Sequence, residues 1–241
     1  FNECISCYDV QLFNSFILDE QRVYTEYWKK YVSATAALVC GIDAEVSELL
    51  LRVTDFKHES PIEGIQRIAE MPDFERRGTS EVSGHALWNI RNRRSSVIEH
   101  NIWVAQVQVL FPIIEMERVS IIQKWHTQIK EALDTSTILQ YGEVIKNPID
   151  VELGTLCYMM SRRKDADLYL LYIPMETDRN RIRFLHECRN LIAHVSCCSP
   201  AQILELFDNT PSDEHGVVLS ASEENERMGR KKDYHYVAET C

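Results

Sequence analysis

Breakers are scarce in this chain: eight glycines and seven prolines in 241 residues. That shortage argues against a loop-rich or many-turned β architecture and favours long helical segments rich in Glu, Leu, Ile and Arg. No apolar run approaches 18 residues and no secretory leader is evident, so neither a membrane crossing nor export is indicated. Neither G-x-x-x-x-G-K-[ST] nor G-x-G-x-x-G occurs, so no nucleotide-phosphate loop is visible. H-E-x-x-H and a Ser/His/Asp motif in a recognisable setting are also missing. Positive charge is short: the formal net charge is −11. That excludes general coating of a duplex, which needs many cations on phosphates, but leaves room for a small basic site, since net charge is a sum and a site is local.

What is present is ordinary soluble material, 45% hydrophobic and 26% charged, in a chain long enough to bury a sizeable core. Eight cysteines are scattered along it. Cys4 and Cys7 form one C-x-x-C, but no second C-x-x-C or H-x3-H completes a zinc set. Free thiols, no metal, no cofactor and a reducing cytoplasm are the expectation. The chain starts at Phe1 instead of a methionine, which admits a piece of a longer protein and a missing partner domain.

Apolar spacing of three and four predicts a helix over residues 18–39, ended by Gly41. Asp43 is placed to cap a second helix and Ser60-Pro61 to open a third. Residues 72–82 read as a polar loop. A long helical stretch follows over residues 85–133, and Pro112 is expected to split or kink it; within it, 104–111 alternates enough to admit a buried strand. Residues 134–148, with Tyr141-Gly142, read as a loop. Asp150 is placed to cap a helix ending in Arg162-Arg163-Lys164, and residues 165–174 either extend it or form a packed connection.

Chemistry concentrates in one place. Residues 178–195 read as a helix capped by Thr177 or Asp178, and Ser199-Pro200 opens another. At about 100° per residue, Phe184, Leu185, Cys188, Leu191, Ile192 and Val195 share the core half. Arg183, His186, Asn190 and His194 share the other, with Arg189 and Ile182 at the edge. His186, Asn190 and His194, spaced i, i+4, i+8, make a polar stripe. Histidine suits proton transfer near neutrality, arginine offers a fork that matches phosphate oxygens, and asparagine can orient a neighbour or donate to an oxyanion. Such a set suits cleavage of a phosphodiester without metal. Plainer roles stay open: His194 as a helix C-terminal cation, Arg189 paired with Glu187, Glu205 or Asp208, and Asn190 as a surface residue.

Arg-x4-His alone arises by chance about 0.6 times in a chain of this composition. The fuller string, Arg189-Asn190-x-x-x-His194 followed by a short polar link and the Ser199-Pro200 helix start, resembles the Rx4-6H signature of the HEPN superfamily over residues 150–207. That resemblance implies an all-α helical bundle that pairs as a homodimer, with two Arg/His sets facing one cleft. It also implies a metal-independent endoribonuclease acting on an RNA substrate, in the manner of toxin or phage-defence effectors. Arg189, Asn190 and His194 would be catalytic, and the stripe adds Arg183 and His186 as substrate-binding candidates. Cys197-Cys198 in the link departs from any pattern the family supplies. The expected organisation is an N-terminal helical region over 1–80, a HEPN-like bundle over 81–208 and a polar tail over 209–241. A sensor, an antitoxin or a fused domain would be the partner. The competing reading is a silent helical module that binds a partner protein or a nucleotide. A second cluster, residues 91–94 with His100, reads as a solvated basic face, and Trp88, Trp103 and Trp125 as core anchors.

Overall fold

The computed structural model describes residues 6–21, 24–76, 85–164 and 168–209. Cys4 of the C-x-x-C pair, most of the polar loop after residue 76 and the tail from residue 210 lie outside the described residues. Within them the chain is all-α, a bundle of ten helices and one small hairpin.

The first three helices are α1 (Cys7–Gln21), α2 (Glu26–Cys40) and α3 (Ala44–Val53). The single helix expected over residues 18–39 is therefore two, with Leu18 buried on the first. Gly41 ends α2, and the Asp43 carboxylate accepts from Val46 N at 3.1 Å at the start of α3. Ser60 and Pro61 open α4 (Pro61–Ala69) as the sequence indicates, the serine hydroxyl accepting from Ile62 N. Next come α5 (Ala86–Arg91), α6 (Ser95–Lys124) and α7 (His126–Thr135).

Residues 104–111 are helical, inside α6, and so is Pro112. The split expected at the proline falls instead at Trp125. Pro112 and Gln108, whose carbonyl loses its helical donor to the proline, both lie on the exposed face, where water can take over that bond. By length and composition α6 is apolar enough to cross a membrane, which the sequence reading did not credit. In the fold it is the core helix that α2 and α9 pack against.

After α7 come β1 (Leu139–Gln140) and β2 (Glu143–Val144), an antiparallel hairpin where a plain loop is expected. A short 3-10 turn at residues 148–150 leads to α8 (Leu153–Ser161), so Asp150 lies in that turn and Glu152 takes the N-cap position. The connection after α8 is packed, with Leu171 and Ile173 buried. Then follow α9 (Glu176–Ala193) and α10 (Pro200–Asp208). Ser199 makes the full capping box with Gln202 that opens α10.

Helix α2 is buried on nearly every side, and Ala34, Ala36 and Ala37 let α1, α3 and α6 approach it closely. Its aromatic end reaches the far end of the chain. Trp28 meets Phe207 of α10 edge-on at 4.9 Å between ring centres, with Tyr31 at 6.2 Å. Such pairs add about 0.5–1.5 kcal/mol beyond the area they bury. Residues on both sides of position 80 thus share one hydrophobic core. Trp125 is a buried anchor, whereas Trp88 and Trp103 are half-buried.

Polar side chains on α6 fix the C-terminal helices. Arg181 grips Glu117 with two bonds, Nε to Oε2 at 2.8 Å and Nη2 to Oε1 at 2.6 Å. The same guanidinium donates to the Glu205 and Leu206 carbonyls at the end of α10. Both side chains are largely buried, Glu117 at 9% and Arg181 at 14% exposure. Removing one member of a pair this deep leaves a stranded charge, so Glu117→Ala should lower unfolding stability by about 3 kcal/mol. A urea titration checks this; a loss below about 0.5 kcal/mol, the range of a surface pair, would contradict it.

Candidate functional site

Helix α9 runs antiparallel to α6. Trp125 Nε1 and Lys124 Nζ both reach Asp178 Oδ2 at 2.7 Å at its N-terminal end. The expected cap is displaced: α9 starts after Met175, which has no capping side chain, so Thr177 and Asp178 lie inside the first turn. At the other end, Trp103 Nε1 donates to Ile192 O at 2.7 Å. Beyond it, Gln106 makes a two-way bond with the Cys198 backbone, at 3.0 Å to its carbonyl and 2.7 Å from its N–H. The motif helix and the link after it are therefore pinned at three levels by side chains of one neighbour.

The buried face of α9 is Ile182, Leu185, Cys188 and Ile192. Ile182 sits inside instead of at the edge, and Phe184 and Leu191 are half-buried. Val195, expected in the core, is 61% exposed. The reason is that α9 stops at Ala193 and the chain reverses. Val195 N donates to Ile192 O and Ser196 N to Leu191 O, the paired bonds of a Schellman turn. Val195 occupies the left-handed position of that turn at φ 59°, where glycine is usual and a β-branched residue is strained.

Of the five candidates, the structure links three. Asn190 Nδ2 and His186 Nε2 are 3.0 Å apart, so the amide donates to the ring nitrogen of a neutral imidazole. Arg189 Nη1 contacts Asn190 Oδ1 at 3.5 Å. Burial, and then the nearby Arg189 charge, push the His186 pKa below its ordinary value. The ring packs over α8, where a Cβ on Gly154 would stand 3.2 Å from Nε2. Arg183 is exposed and bonds Asn180 on its own helix.

His194 is the residue at the helix end, its N–H bonded to the Asn190 and Leu191 carbonyls. Its ring is exposed and makes no hydrogen bond or ion pair among the described residues.

Arg189 does have a carboxylate partner, but not one of the three considered from sequence. Its Nη2 lies 3.4 Å from Glu152 Oε2, at the start of α8. Glu152 lies 37 residues away in sequence, so helical spacing could not find it. A cleft of about 410 Å³ opens beside this pair, walled by Phe111, Glu115, Arg118 and Asp150. A second, of about 450 Å³, lies against Val195, Ser196 and Cys197, with Ser96, Glu99 and His100 of α6 opposite.

The basic cluster is largely the solvated face expected, with Asn92, Arg93, Arg94 and His100 exposed and Arg91 half-buried. Arg91 bonds the Ala69 and Phe74 carbonyls, and Arg94 stacks on Trp88 at 4.8 Å. The described cysteines, Cys7, Cys40, Cys157, Cys188, Cys197 and Cys198, are all free thiols. Burial pushes the Cys157 and Cys197 thiols up, which disfavours thiolate chemistry at either. Among the described residues no cluster of His, Cys, Asp or Glu could hold a metal ion. No family model, no curated protein and no solved structure matches the chain.

Two outcomes follow from this geometry. Val195→Gly should raise stability by up to about 1 kcal/mol, since the left-handed conformation costs an L residue about 1–2 kcal/mol and glycine returns part of that as chain entropy. Thermal melting checks it, and a fall in melting temperature would contradict the strained turn. His186 binds its proton less readily folded than unfolded, so the unfolded chain holds more protons between the lowered value and about 6.5. Stability is therefore full above that window and falls as pH drops through it. Calorimetry at pH 7.5 and pH 5.5 should show a larger loss in wild type than in His186→Gln; equal losses would remove His186 as the cause.

Proposed function

We propose that this chain is a metal-independent endoribonuclease of the HEPN type. The observation that carries the reading is His194: an exposed imidazole with no side-chain partner among the described residues, on a backbone turn held by Trp103 and Gln106. One turn upstream stand Arg189 and Asn190, linked to His186. The backbone at His194 is held while its ring is left available.

In this reading RNA supplies the nucleophile. His194 takes the proton from the 2′-OH, and the oxygen attacks the adjacent phosphorus. Arg189 stabilises the charge that builds on the phosphorus oxygens, and Asn190 holds the neighbouring groups in place. The P–O5′ bond breaks, the leaving oxygen gains a proton, and the products carry a 2′,3′-cyclic phosphate and a 5′-OH. Arg183, exposed on the same side of α9, contacts the RNA backbone with His186. Two copies pair so that their Arg/His sets line one cleft, and a sensor, antitoxin or fused domain controls a toxin or defence effector in the cytoplasm.

One observation favours the other reading, a silent helical module for a partner protein or nucleotide. Arg189 is answered by a carboxylate, and the adjoining cleft carries Glu115, Asp150 and Glu152. The two readings separate on one substitution. His194→Ala should reduce cleavage of single-stranded RNA at least about a hundredfold, the usual weight of a general base, while its circular dichroism and melting stay those of wild type. Cleavage that survives in His194→Ala would remove His194 as the general base, and a wild type that binds RNA and never cuts it would leave the silent module standing.

A further inference from the structure

The β1–β2 hairpin has a use that its sequence does not advertise. Gln140 docks it onto the start of α8: its Nε2 donates to Asp150 O, and its Oε1 accepts from Glu152 N and Thr155 Oγ1. The register pairs Gln140 with Glu143, leaving Tyr141-Gly142 as a two-residue turn at φ 53° and 85°. Such turns favour Asn or Gly in both places. A tyrosine there is disfavoured, and strain of this kind persists where the surroundings require it.

The requirement is visible at its hydroxyl. Tyr141 Oη donates to Glu152 Oε2 at 2.7 Å, and the same oxygen accepts Arg189 Nη2 at 3.4 Å. Glu152 occupies the N-cap position of α8 yet makes no capping bond, because its carboxylate is turned to these two groups. On the other side of the guanidinium, Nη1 reaches Asn190. Two of the five guanidinium N–H bonds are thus used to hold it, leaving three donors for a ligand.

We infer that Glu152, steadied by Tyr141, is a positioning residue for Arg189, holding the guanidinium where the phosphate of the RNA arrives. This rests on the ribonuclease reading for its purpose, though not for its geometry. The pair is partly exposed, 31% for Arg189 and 38% for Glu152, so water weakens its attraction and it does not outbid a phosphate. What it removes is the freedom of a long, flexible side chain that would otherwise be ordered anew at each turnover.

The test uses the whole chain with Glu152→Ala, Glu152→Gln and Tyr141→Phe, and two independent readouts. The first is the rate at which phenylglyoxal modifies Arg189, mapped by mass spectrometry. The second is steady-state cleavage of a single-stranded RNA. Arg189 labelling should rise about threefold or more in Glu152→Ala and less in the other two. Its kcat should fall about tenfold, in line with a misplaced group, with KM changed less than about twofold and Glu152→Gln recovering part of the loss. Unchanged Arg189 labelling overturns the proposal, whatever the cleavage. A rise in kcat overturns it too, because Glu152 would then be a brake. If labelling rises but the wild type cuts no RNA, the hold on Arg189 stands and the ribonuclease reading alone falls.

Discussion

The C-terminal half of this bundle depends on the polar side chains that α6 extends toward α9 and α10, and above all on the buried fork between Glu117 and Arg181. A charged pair at that depth is tolerated only when its remaining donors are met, and here the Glu205 and Leu206 carbonyls meet them. One guanidinium therefore joins three helices. Lys124 and Trp125 below it, and Trp103 and Gln106 above it, repeat the pattern along the same helix. Apolar packing alone would let α9 slide or rotate on α6; directional bonds at several heights remove both freedoms. Arg118 extends the grip to α8, donating to the Ile149 and Val151 carbonyls just before it.

The consequence for chemistry is a fixed exit from α9. The chain leaves the helix through a Schellman turn that strains Val195, and the link is clamped three residues later through Cys198. His194 is thereby presented outward on a rigid backbone, while Arg189 is held from the side by Glu152 and Asn190. A site that moves a proton on one group and stabilises charge with another needs that division: rigid backbone, available side chains. Glu115, Asp150 and Glu152 stand around Arg189, in keeping with a chain of net charge −11.

What sequence shows and hides follows from distance along the chain. Caps are local, so Ser60, Asp43 and the Ser199 capping box are legible from a few residues. The helical character of nearly every segment is legible from spacing and from the scarcity of breakers. The stripe on α9 is legible as far as His186 and Asn190, which do touch. Val195 misleads, because helical periodicity cannot see that the helix stops two residues earlier. Pro112 misleads because its effect depends on whether water reaches the freed carbonyl, which is a property of the fold. Glu152 and Glu117 are invisible as partners because each meets its arginine across 37 residues or more of intervening chain, and Tyr141 joins only through Glu152. No periodicity links such positions, and only the packed structure brings them together.

The most direct measurement is the chemistry of the cut ends. The full chain is incubated with a labelled single-stranded RNA in excess EDTA, and the product termini are identified by mass spectrometry. A reaction driven by the RNA's own 2′-OH, with His194 and Arg189 as the working groups, should proceed and leave 2′,3′-cyclic phosphate and 5′-OH ends. Cleavage that stops without divalent metal, or that leaves 3′-OH and 5′-phosphate ends, would contradict it.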